Sequence, residues 1–77
     1  MNNQRHNEVL MHLVANKVKM LREAMGISQL AAYRKTGIHF GRIEAGNSNV
    51  TVSTFSALCK FFDLSFEQFF NGIEDNE

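Results

Sequence analysis

Glycines at 26, 37 and 46, separated by eleven and nine positions, cut the middle of this chain into short pieces, and no proline occurs anywhere. Pieces that short hold one brief helix or strand each, with a turn at every glycine. Apolar spacing decides between the two. Val9/Leu10, Leu13/Val14, Val18, Leu21 and Met25 recur every three or four residues, which places one apolar stripe on a helix from about His6 to Met25. Gly26 stands where a C-terminal cap belongs. Ser28 is placed to cap a second helix, Gln29 to Thr36, whose apolar content is Leu30, Ala31, Ala32 and Tyr33 and which Gly37 stops. Ile38 to Ala45 reads as a very short third helix or turn, with Ile38, Phe40 and Ile43 apolar, ended by Gly46 and the polar loop Asn47-Ser48-Asn49. Thr51 or Ser53 caps a fourth helix running to about Phe62, with a stripe of Val52, Phe55, Leu58 and Phe61/Phe62; Asp63 marks a break. Ser65, followed three residues later by Gln68, forms a capping box that opens a fifth helix carrying Phe66, Phe69 and Phe70, and Asn71-Gly72 ends it. The β-branched run Val50-Thr51-Val52 is too short to stand as a strand. The expected fold is all-α, a compact bundle of about five short helices.

At 77 residues the chain is expected to form a single domain over 1–77. Its helical core is placed at 6–70, and 71–77 reads as an acidic tail that frays. Small domains gain modest stability from burial alone, so oligomerisation, a metal or disulfides would help. Cys59 is the one cysteine, which excludes disulfides and a cysteine-based metal site; His6, His12 and His39 lack ligand spacing, so neither metal nor cofactor is expected. Cys59 falls at helical spacing with Phe55 and Phe62 and reads as a core residue. No stretch reaches the length of a membrane span, and Met1–Glu8 is polar rather than export-like, so a cytoplasmic, nucleoid-associated protein is expected. The formal net charge is zero, yet residues 1–60 carry +5 and residues 61–77 carry −5. A neutral chain with that split can still present a basic face to a polyanion.

Residues 21–55 contain Leu21-Arg22, Gly26-Ile27-Ser28-Gln29, Thr36-Gly37-Ile38 and Arg42-Ile43-Glu44-Ala45-Gly46, in that order. Together these resemble the Cro and lambda-repressor-like helix-turn-helix family, over about residues 15–70. The resemblance implies a central helix-turn-helix that binds double-stranded DNA. It implies that Gln29, at the start of helix 2 beside Ser28, lies against the DNA backbone, and that the loop Asn47, Ser48, Asn49 adds phosphate contacts. Base readers belong at the exposed start of helix 3, here His39, Gly41 and Arg42. Arg42 suits the O6/N7 edge of guanine, where a bidentate contact is worth about 1–3 kcal/mol of discrimination. Arg22 and Glu44 match an internal salt bridge, a structural pair rather than a catalytic one. The chain departs from the pattern in two places. Between Gly37 and Glu44 the family carries about one more helical turn. Ala32-Tyr33 occupy the places of a Leu-Ala pair. A rebuilt turn, a register shift of helix 2, or loss of residues from a longer parent would each account for this.

Six of the seven phenylalanines lie between 55 and 70. Two short helices cannot enclose them all, so Phe66, Phe69 and Phe70 are the candidates for an apolar patch, and the simplest closed use of a patch is a two-fold dimer. The leading expectation is a bacterial or phage transcription regulator that binds a roughly palindromic operator as a homodimer, with no small-molecule ligand and no membrane involvement. The alternative is a helix-turn-helix-derived dimerisation module that has lost base readout. An enzyme is not expected: there is no nucleophile–base–acid set, no paired-carboxylate cleft and no phosphate-cradling glycine loop.

Overall fold

The computed structural model describes residues 3–73, with side chains from Glu8 onward. The tail expected to fray lies outside them from residue 74 on. Five helices follow one another: α1 (Asn3–Ala24), α2 (Gln29–Thr36), α3 (Phe40–Glu44), α4 (Val52–Phe62) and α5 (Phe66–Phe70). The chain is all-α, as its periodicity implied.

Each boundary has a local cause. Ser28 Oγ accepts from the Ala31 N–H at 3.0 Å and opens α2, while Gly37, in the left-handed conformation at φ 77°, closes it by donating its N–H to the Tyr33 carbonyl at 2.7 Å. Thr51, rather than Ser53, caps α4 by accepting from the Thr54 N–H at 3.1 Å. Asp63 ends α4 at φ 58°, with the Leu64 N–H reaching back to the Cys59 carbonyl at 2.9 Å. The capping box at α5 is complete: Ser65 Oγ accepts from the Gln68 N–H at 3.0 Å, and Gln68 Oε1 accepts from the Ser65 N–H at 2.8 Å.

The core joins Val14 and Val18 of α1, Ala32 of α2, Phe40 and Ile43 of α3, Leu58 and Cys59 of α4, and Phe69 of α5. Phe40 stands edge-on to Phe61 and Phe62, with ring centroids 5.8 and 6.3 Å away, so α3 is pinned by aromatic contacts from α4. α3 also packs on α1 and α2, and α5 packs on α4. Burial pushes the Cys59 thiol up from its ordinary range, as suits an inert core residue.

Several expectations are corrected. Phe69 is fully buried against Phe55, so it is unavailable to a partner; Phe66 and Phe70 are the exposed rings. Adjacent residues on a helix point about 100° apart, so when one of this pair is fully enclosed its neighbour is left at the edge. Val52 is 75% exposed because it is the first residue of α4, beyond the edge of the core. Leu30 is exposed while Ala32 is fully buried, so α2 turns Ala32 inward. Ile38 and His39 are not helical, and α3 starts at Phe40 rather than Ile38.

Candidate nucleic-acid interface

The helix-turn-helix is locked from beneath by one ion pair. Arg22, at a core position of α1, donates from Nε to Glu44 Oε2 at 2.7 Å and from Nη2 to Glu44 Oε1 at 2.9 Å. Its Nη1 donates to the Ile27 carbonyl at 2.7 Å, so the guanidinium also fastens the chain leading into α2. The Glu44 side chain is 3% exposed. Burial pushes its carboxyl upward, but hydrogen bonds from Arg22 and Gln29 and the charges of Arg22 and Lys19 outweigh it and hold Glu44 below its ordinary range. Arg22 is raised in turn, chiefly by its hydrogen bond to Glu44 and against the effect of burial.

Gln29 completes this network. Its Nε2 donates to Glu44 Oε1 at 3.0 Å, and its side-chain oxygen lies 3.3 Å from where a Cβ on Gly41 would stand. A side chain at 41 would press on Gln29, so the glycine allows the start of α2 and the middle of α3 to lie this close. Gln29 remains exposed while fixed in this way. Ser28 is exposed beside it, its hydroxyl engaged as the cap.

In the turn, Thr36 Oγ1 donates to the Ala32 carbonyl at 2.8 Å and accepts from the Ile38 N–H at 3.0 Å. That bridge turns the chain from α2 into α3. α3 then alternates: Phe40 and Ile43 face inward, while His39, Gly41 and Arg42 face solvent. His39 and Arg42 line an open depression of about 340 Å³ with Ser48 and Asn49 from the following loop. Four of the sequence-predicted contacts therefore share one surface. Ser28, Gln29 and Gly41 do not line it, nor does Asn47, which is exposed nearby in the chain.

Thr51 and Thr54 also line the depression, so the start of α4 contributes to it. Sequence reading treated Thr51 only as a cap; its place after a polar loop was the available signal. Gly46 holds the loop's entrance. At φ 83° it suits glycine, and a Cβ there would fall 2.5 Å from His12 Nδ1 of α1.

No group of three or more His, Cys, Asp or Glu side chains converges on a metal-sized site among the described residues. None of the helices searched among them is long and apolar enough to cross a membrane.

Comparison with known proteins agrees with this geometry. A family model described as helix-turn-helix matches residues 18–69, about two thirds of the chain. No curated protein and no solved structure gives a significant match. With its capped α2, glycine turn and α3 braced by Arg22–Glu44, the chain belongs to the Cro and lambda-repressor-like helix-turn-helix family of DNA-binding transcription regulators.

Proposed function

We propose that this protein is a transcription regulator of bacterial or phage type that binds a roughly palindromic operator as a homodimer. The observation that carries the reading is that His39 and Arg42 are exposed on one depression with Ser48 and Asn49, next to the buried Phe40 and Ile43 that anchor α3. Arg42 donates to a guanine edge, and Ser48 and Asn49 donate to phosphates. Gln29 and Ser28, at the start of α2, meet the DNA backbone, where helix N–H groups favour an anion. Asn47 extends the loop's phosphate contacts.

Dimerisation is assigned to α5. Phe66 and Phe70 are 46% and 36% exposed, and Phe70 shares an apolar cleft with Leu10 of α1. Two copies joined there would carry two reading heads, and an operator with half-sites about 34 Å apart follows. Phe66→Glu with Phe70→Glu is expected to yield monomers that keep wild-type helicity, as read by sedimentation equilibrium and circular dichroism. A dimer that survives both changes places the interface elsewhere.

One observation favours a second reading, a dimerisation module without base readout: α3 has only five residues. Titration of a random-sequence duplex at two salt concentrations separates the readings. A DNA binder loses affinity steeply as salt rises, because neutralising each phosphate releases counterions. A dimerisation module retards no duplex even at low salt.

A further inference from the structure

The Tyr33 ring stacks on the His39 imidazole, with centroids 4.7 Å apart and planes inclined by 27°. Both residues are exposed, so the contact is made on the surface and adds little to the core. His39 stands at the N-terminal end of α3 but makes no side-chain capping bond there, which leaves the ring's polar atoms unused by the helix. It lines the depression beside Arg42. Tyr33 belongs to α2, the helix fixed at one end by Ser28 and at the other by Gly37, whose N–H bonds to the Tyr33 carbonyl itself. Gln29, four residues before Tyr33 and hence on the same edge of α2, abuts Gly41 and bonds to Glu44. That edge of α2 therefore holds α3 at two points, Gln29 at its middle and end and Tyr33 at its start.

We infer that Tyr33 is a positioning residue for DNA recognition: its ring fixes the His39 imidazole so that a ring N–H donates to an acceptor atom on duplex DNA next to the Arg42 contact. This rests on the DNA-binding reading above and deepens it. A histidine in a non-helical turn ordinarily samples several rotamers, and ordering it on binding weakens the complex. Stacking on a rigid helix removes that cost before the DNA arrives. It also explains how so short an α3 keeps a defined reading surface: the donor at its start is held by α2 rather than by a further turn of helix. The acceptor is either a base edge or a phosphate oxygen.

The test uses the full chain with two probes, a duplex drawn from the enriched pool of a random-library selection and a scrambled duplex of the same length. Dissociation constants are measured for wild type, Tyr33→Leu, His39→Ala, the double variant and Tyr33→Phe. Tyr33→Leu is expected to weaken binding by about two- to tenfold, the range of an aromatic pair. His39→Ala is expected to match it, the double variant to lose no more than the worse single one, and Tyr33→Phe to bind like wild type because it keeps the stack. Melting temperatures should stay together, since Tyr33 is 40% exposed and lies outside the core. Losses confined to the selected duplex identify a base edge, and equal losses on both identify a phosphate. Wild-type affinity in Tyr33→Leu, losses that multiply in the double variant, or a Tyr33→Phe as weak as Tyr33→Leu would each overturn the inference and leave DNA binding intact. A wild-type protein that binds neither a random nor a selected duplex overturns both.

Discussion

Glu44→Ala is expected to lower the unfolding free energy by about 3–5 kcal/mol, because it leaves the Arg22 charge buried without its partner. The bidentate geometry places both guanidinium contacts on one carboxylate, so a single substitution removes both of them, and the Gln29 bond with them. Arg22 keeps only the Ile27 carbonyl. In a domain of this size the loss corresponds to a melting temperature lower by at least about 10 °C, readable by thermal denaturation monitored at the helical circular-dichroism band. A melting temperature unchanged by the substitution would mean that the pair does not hold α1 to α3 in solution.

The same residue sets an acid dependence. Glu44 is held below its ordinary value of 4.5 in the folded chain. A carboxyl depressed on folding contributes its full stability above the unfolded value and loses it as pH falls through the folded one. The gap between wild type and Glu44→Gln should therefore be widest near neutrality and close as pH drops below 4.5. A gap that widened with acid would contradict the assigned direction.

Arg42→Ala is the second large expected effect, and it acts on recognition. Arg42 is exposed on α3 and makes no contact that the core needs, so helicity and melting temperature should be retained. Loss of a bidentate guanine contact weakens binding to the selected operator by about 1–3 kcal/mol. Binding to random duplex should fall much less, since the phosphate contacts proposed for Gln29 and the 47–49 loop would remain. Measuring both affinities at one salt concentration gives the specificity ratio directly. Equal affinity of the variant and the wild type for the operator would remove Arg42 from the reading surface.

The elements that sequence alone located well are those set by local chemistry. Ser28 and Gly37 bound α2, and Ser65 with Gln68 opens α5, because caps are decided by residues within one turn of each other. What sequence reading missed depends on packing between elements. Phe69 and Phe70 both pack on the Phe55 ring, at 5.7 and 5.1 Å, yet only Phe69 joins the core shared by all five helices, a choice that residue spacing does not report. Spacing alone does not fix the register of α2, because Leu30 and Ala32 are both apolar; the fold buries Ala32 and leaves Leu30 exposed.

The site divides in the same way. The Arg22–Glu44 pair followed from family resemblance, and the contact is present with bidentate geometry. The Gln29–Glu44 bond did not follow, since it depends on Gly41 letting the two helices come close. Nor did the Tyr33–His39 stack, which spans the turn between α2 and α3. Both missed contacts run between α2 and the chain that follows its turn, and residue spacing does not report the crossing geometry of two helices.

The surface carrying His39 and Arg42 is proposed to read base pairs. Selection of a random duplex library by the wild-type protein and by Arg42→Ala, with sequencing of both bound pools, tests it most directly. The expected result is a rough palindrome with half-site centres about one helical turn apart for wild type, with a guanine position that loses its enrichment in the variant pool. A wild-type pool as random as the starting library would contradict it.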